Sequence, residues 1–328
     1  MAPPFPPIDL DASLAELSRG GLPTRARQRL ADESSHHLFT SDLSVNEFLV
    51  TRELQCQPIS QVMGSSIFHI GRIPDYKGAT SEVFAISDAH RQSRRRALSR
   101  LFQEAQIVGA DAVIGVRLSE RLITVGAHGK GGDDGDEVIE FTVMGTAVRA
   151  PWITHPVGSP IITDLSGQDF WALAREGFEP CGFLFDFCRY HVWHVLKAGF
   201  WSPGGEITSA CEAVETARDL VTTRIREQAR AVETEFVVGS DIKVTAKEVP
   251  CGYEGCQLND LDVDVSWFGT AIRRIPNFTP PHVANVPPLV LGMIKLGRDK
   301  QGDFVKGEAD ESKELEELAK KLEERASD

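Results

Sequence analysis

The chain has 328 residues, 41% hydrophobic and 25% charged, an ordinary globular composition with length for about two domains. A formal net charge of −13 argues against non-specific binding to nucleic acid or to an anionic membrane surface. MAPPFPPIDL lacks the basic and apolar stretches of a secretory signal, and no apolar run approaches the ~20 residues of a membrane-spanning helix.

Residues 1–8 are Pro-rich and predict extended or disordered chain. Asp11 is a candidate cap for a short helix carrying Leu14 and Leu17, which Gly20 and Gly21 end. TRARQRLAD at 24–32 predicts a polar surface helix. Ser44 with Glu47 fits a capping box and predicts a helix over 44–54. A strand follows at about 55–63, and SSIFHIG then reads as a turn into a short helix. Apolar spacings of three and four through Ala97, Leu98, Leu101, Phe102, Ala105 and Val108 predict a long helix over 81–108, stopped at Gly109. A strand at 112–125, a glycine-rich hairpin loop at 126–137 and a returning strand at 138–149 complete the series.

The same order then returns. Ser166 with Asp169 opens a helix, followed by a strand at about 178–187 and a short helix or turn at 188–198. A long helix spans about 206–232, after Pro203, Gly204 and Gly205. Strands follow at 236–247 and 260–272, the second alternating through Leu261, Val263, Val265 and Trp267. The loop between them holds Cys251 and Cys256. A Pro-rich linker covers 276–288, and the tail at 311–328 reads as a charged amphipathic helix with Leu315, Leu318 and Leu322.

The two series match residue for residue in places. SDLSVNEF at 41–48 recurs as TDLSGQDF at 163–170, so that Asp42 meets Asp164 at a shift of 122. MGTAVR at 144–149 recurs as FGTAIR at 268–273, with Gly145 on Gly269 at a shift of 124. Pro58 falls on Pro180 and His69 on His191. Order-preserving self-similarity over a domain length predicts two copies of one domain in tandem. The expected division is an extension at 1–40, domains at 41–150 and 163–275, and a linker and tail at 276–328.

The stretches EAQIVGADAVIGVRL at 104–118 and EFTVMGTAVR at 140–149 resemble the YbjQ-like, or heavy-metal-binding-domain, family. The resemblance is clear over about 47–149 and divergent over 169–273, where Glu233, Thr234 and Glu235 replace the GAD of the first copy. It implies an α+β fold: two tandem β-α-β-β, dodecin-like two-layer domains with antiparallel three-stranded sheets. It also implies a ring oligomer, typically a pentamer. An odd ring cannot alternate the two copies, so two stacked tiers are expected.

Gly109, Asp111, Gly115, Gly145, Gly239 and Gly269 read as structural: a helix stop, a turn carboxylate, and strand glycines marking bulges or close backbone approach. Two metal candidates stand out. His191 and His194 lie three apart and on a helix would share a face, although Arg72 occupies the place of His194 in the first copy. Cys251 and Cys256 lie in CGYEGC, with no second Cys or His pair nearby, so a loop disulfide or free thiols is the simpler reading. The acids of GDDGDE at 132–137 do not fit a calcium loop and read as a solvated turn. RQSRRR at 91–96 reads as a solvated or intersubunit salt-bridging helix face. No nucleophile elbow, Walker loop or zinc-protease motif appears, so an enzyme is not expected.

Six scattered cysteines, five of them in the second half, fit reduced thiols in a cytoplasmic protein. The expectation is a non-enzymatic, ring-forming scaffold without a resident cofactor. The alternative is a module holding a transition metal or small ligand in the ring lumen. The expected partner is the chain itself, and the tail is a candidate surface for another protein.

Overall fold

The computed structural model describes residues 9–36, 40–70, 78–125, 136–153, 158–197, 206–250 and 258–278, all within one compact unit. The Pro-rich start, most of the glycine-rich loop, the Cys251–Cys256 loop, and the tail lie outside the described residues.

In chain order the elements are helices α1 (Leu10–Ser18), α2 (Thr24–His36) and α3 (Val45–Glu53), then β1 (Gln57–His69), β2 (Ser81–Glu82), α4 (Phe84–Ile107), β3 (Ala112–Val125), β4 (Asp136–Arg149) and β5 (Ile161–Ile162). The second half holds α5 (Gly167–Arg175), β6 (Phe178–Lys197), α6 (Thr208–Ala231), β7 (Phe236–Pro250) and β8 (Leu258–Arg274). The class is α+β, with two sheets ordered β1-β4-β3-β5 and β2-β6-β8-β7. In the first, β4 lies between β1 and β3 and pairs antiparallel with both; in the second, β8 does the same between β6 and β7.

Each sheet has four strands, not the expected three. The fourth in each case is a two-residue piece borrowed from the other half. β5, on the approach to α5, pairs parallel with β3, while β2, just before α4, pairs antiparallel with β6. Two further expectations are corrected. β1 runs unbroken to His69, because Pro58, Ser60, Val62, Gly64 and Ser66 bury one face in strict alternation. β6 likewise continues past Cys188 to Lys197, where a turn or short helix was expected, with a register shift between Val192 and Leu196.

Both α3 and α5 begin with a complete capping box, Ser44 with Glu47 and Ser166 with Asp169. The first helix is capped by Asp9, whose carboxylate accepts from Ala12 N at 3.0 Å, rather than by Asp11. Gly109, at φ +68°, turns the chain out of α4 as expected. Asp111 Oδ2 accepts from Ala150 N at 2.9 Å, so its carboxylate ties the end of β4 rather than the helix turn.

The long helices lie on their own sheets. Ala97, Leu98, Leu101 and Ala105 of α4 bury against Val62, Phe141 and Val143. Ala213, Ala217, Val221 and Ile225 of α6 bury against Leu184, Cys188, Val263 and Val265. Small residues let α4 settle directly on the backbone of β1: a Cβ at Gly64 would lie 1.9 Å from Ala97 O and 2.7 Å from Leu101 N. Gly115 and Gly239, at φ +64° and +65°, mark bulges in β3 and β7, opposite Gly145 and Gly269.

Gly64→Ala forces helix and sheet apart over rigid backbone. It should cost about 2 kcal/mol or more, read as a lowered midpoint in thermal or denaturant unfolding. An unchanged midpoint would show that α4 does not rest on β1 at this position.

Candidate functional site

The chemistry-bearing side chains gather where the two sheets meet. The segment from Ile161 to Ser166 leads into α5 and is held from two sides. Its backbone extends the first sheet: Ile161 N donates to Asp111 O (3.0 Å), Thr163 N to Val113 O (2.9 Å), Val116 N to Thr163 O (3.1 Å) and Gly115 N to Leu165 O (2.8 Å). Its side chains bind the second sheet. Thr270 Oγ1 donates to Asp164 Oδ1 at 2.6 Å, the Thr163 and Thr270 hydroxyls lie 2.8 Å apart, and Leu165 N donates to Thr163 Oγ1 at 3.1 Å.

The segment ahead of α3 repeats this clamp. Thr146 Oγ1 donates to Asp42 Oδ1 at 2.6 Å, the Ser41 and Thr146 hydroxyls are 3.1 Å apart, and Leu43 N donates to Ser41 Oγ at 3.0 Å. One difference separates them. Thr163, Asp164 and Leu165 are buried, whereas Ser41, Asp42 and Leu43 are only half-buried and Thr40 is exposed.

Beside the clamp lies a charged junction between α4 and β6. Val83 N donates to Arg189 O (2.8 Å) and Arg189 N to Ser87 Oγ (3.0 Å), stitching the start of α4 to the strand. Arg94 donates to Glu120 Oε2 (2.7 Å) and to Asp186 O (3.4 Å), and its guanidinium lies over the rings of Phe141 and Phe187. Arg91 lies 3.6 Å from Glu82 and 3.7 Å from Asp186. Arg224, from α6, grips Glu82 with both guanidinium nitrogens at 2.9 and 2.5 Å. Arg189 holds Asp264 bidentately at 2.6 Å on each arm. Arg91 and Arg94 are therefore buried within one chain, not solvated or reserved for another subunit; Arg95 and Arg96 are the exposed members of that run.

Protonation follows the packing. Burial pushes the His90 imidazole below its ordinary pKa, against the pull of Glu120, with Arg94 and Arg189 adding to the depression. Burial alone would raise Glu120, but contact with His90 and Arg94 brings its carboxyl down to about 2. Burial would likewise raise Glu82, yet Arg224 leads the groups that hold it low. Asp186 goes up, because burial outweighs Arg91 and Arg224.

The metal candidates fall differently from the helical reading. His191 is wholly buried in β6, its Nδ1 2.7 Å from Asp262 and its Nε2 3.4 Å from Asp260. His194 sits in the strand irregularity at φ +56°, stacked on Trp193, with its amide donating to Asp260 Oδ1 at 2.8 Å. Among the described residues no group of three or more His, Cys, Asp or Glu side chains is placed to hold a metal ion. These residues do not fit a heavy-metal centre. Cys251 and Cys256 lie outside the described residues.

A cleft of about 450 Å³ opens between α4, β5 and β6, lined by Arg95, Leu98, Ser99, Phe102, Ser159–Ile162, Cys181, Gly182, Phe183 and Phe185. The paired ionisable groups of the junction do not line it. Among the described residues no helix is long and apolar enough to cross a membrane.

Two β-hairpin sheets, each covered by one long helix that precedes its glycine-bulged hairpin, define the class. The family described as "Putative heavy-metal-binding" (YbjQ) matches residues 61–151, and the chain belongs to this YbjQ-like family. It is 34% identical over 211 residues, 61% of this chain and 76% of the relative, to the encapsulin nanocompartment protein Rv1762c of Mycobacterium tuberculosis (strain ATCC 25618 / H37Rv). No solved structure matches.

The signs of the junction shifts fix its pH response. The unfolded chain protonates His90 near its ordinary value of ~6.5, while the folded chain resists that proton, so stability is full above that pH and falls below it. Glu120 adds a second loss as pH falls from its ordinary ~4.3 toward about 2. The melting temperature should therefore drop between about pH 7.5 and about pH 5.5, and His90→Phe should flatten that slope while keeping a ring against Phe187. An equal slope in the variant would remove His90 as its source.

Proposed function

We propose that the chain is a tandem pair of YbjQ-like domains that acts as a non-enzymatic, self-associating scaffold forming a closed ring in the cytoplasm. The observation that carries the tandem reading is the repeated clamp: Asp42 with Thr146, and Asp164 with Thr270, joined by the same bond at the same 2.6 Å. The long helices add support, since α4 and α6 each span 24 residues and lie 124 positions apart at both ends.

A scaffold is favoured by how the reactive groups are used. The arginines and carboxylates at the junction are bound to one another. Burial pushes the thiols of Cys56 and Cys188 up to about 11 and about 12, far from a nucleophile's range. The cytoplasmic reading is supported by Cys56, Cys181, Cys188 and Cys211, which are all free thiols.

The mycobacterial relative is named for an encapsulin nanocompartment. By extension, this chain is a component associated with such a protein-shelled compartment. Co-expression with an encapsulin shell protein should make the two co-sediment as one large particle; separate migration would end that part of the reading.

Self-association is tested by mass photometry of the full chain at micromolar concentration. The expected result is a single discrete multiple of the chain mass, and a monomer would overturn the scaffold reading.

We propose that this scaffold needs no resident metal. Excess EDTA should leave particle mass and melting temperature unchanged. A fall in melting temperature that zinc restores would favour a metal-binding module, and Cys251→Ser with Cys256→Ser would then show whether those cysteines carry it.

A further inference from the structure

We propose that Thr40–Leu43 of one chain adds to the edge of β7 in a second copy. The contact repeats between chains the one that Ile162–Leu165 makes with β3 inside one chain. This rests on the self-association reading and names the surfaces that carry it.

The internal contact supplies the template. There the backbone of Thr163 and Leu165 meets Val113, Gly115 and Val116, where Gly115 bulges out of β3. Every part of it has a counterpart elsewhere in the chain. Thr40, Ser41 and Leu43 correspond to Ile162, Thr163 and Leu165; Val237, Gly239 and Ser240 correspond to Val113, Gly115 and Val116. The Gly239 bulge has the same left-handed backbone, φ +65° against +64°. The clamp to Thr146 already sets Ser41 and Asp42 in the arrangement that Thr163 and Asp164 adopt when engaged.

Among the described residues β8 is the only strand paired with β7, and no strand pairs with Thr40–Leu43. β7 leaves Phe236, Ile242 and Val244 at 51%, 41% and 42% exposure, on a sheet edge 15 residues long. Lys243, Lys247 and Glu248 are exposed beside them, and the edge at Val237–Ser240, which carries no charged side chain, is the stretch left for a covering strand. The same chain carries a segment shaped to cover it, and cannot use that segment on β3, because β5 already occupies that edge.

The β7 edge and the Thr40–Leu43 segment are two different surfaces of each chain, so the contact joins copies head to tail. A head-to-tail contact closes into a ring where the rotation allows. The two halves of each chain then alternate around a single ring, an arrangement distinct from the two stacked tiers expected from an odd ring.

The test is a cross-link in the full chain. Ile162 and Val113 are register partners in the template, so Thr40→Cys with Val237→Cys should form a disulfide between chains under mild oxidation. The expected result is a ladder of covalent multiples on a non-reducing gel, ending at the particle size seen by mass photometry, with neither single variant forming it. Ser41→Pro removes the amide that Val237 O would accept; it should reduce the particle to monomers that keep the wild-type helix content. A wild-type oligomer in which the double variant does not cross-link would overturn this contact and leave the scaffold standing. A wild-type monomer would overturn both. A cross-link confined to single chains, or β7 amides protected from hydrogen exchange in a monomer, would show the edge covered from within the chain and overturn the proposal.

Discussion

The fold turns on one short segment held by two sheets at once. Asp164 and Thr163 give their side chains to Thr270 in the second sheet, while the backbone around them completes the edge of the first. A buried carboxylate is costly unless its oxygens are bonded, and here the bonding partners fix where the backbone must run. From that fixed line follow the placing of α5, the covering of β3 and the approach of β6 to α4. Reciprocal borrowing strengthens the union, because β2, ahead of α4, supplies a strand to the other sheet. The two halves share hydrogen bonds rather than merely touching.

The junction shows why such a union prefers one mating. Arg91 and Arg94 lose hydration on burial and the half-buried Arg224 loses part of it, and each recovers it from a particular carboxylate or carbonyl across the junction. A slipped register would strand these charges. The equivalent face of α6 is built differently. The places of Arg91 and Arg94 are taken by Glu215 and Arg218, which form an exposed pair within the helix. The two long helices therefore carry different charge chemistry at matching positions.

Much of this architecture could be read from the residues. Both long helices, the hairpins behind them and the capping boxes rest on local signals, namely apolar spacing, a glycine stop and a Ser paired with an acid three positions on. Two strands ran further than their hydropathy. The buried face of β1 includes Ser60, Gly64 and Ser66, which no hydrophobic pattern reveals, and their smallness is what admits α4. In β6, the three-residue spacing of His191 and His194 imitates a helix, while His194 in fact occupies a left-handed irregularity within the strand. The clamp was half visible. Asp42, Asp164, Thr146 and Thr270 all sit in the repeated blocks, but each Asp–Thr pair is more than a hundred residues apart in sequence and meets only through sheet pairing. Arg91 and Arg94 looked solvent-bound because their partners come from distant strands.

The order of these elements along the chain has a consequence during synthesis. β5 begins at Ile161, only a short stretch after β4 ends at Arg149. The first sheet's vulnerable edge is therefore covered almost as soon as the ribosome releases the strands that create it. β7 and β8 emerge later. A nascent chain thus has this edge guarded in cis by β5 before the strands of its second sheet have emerged.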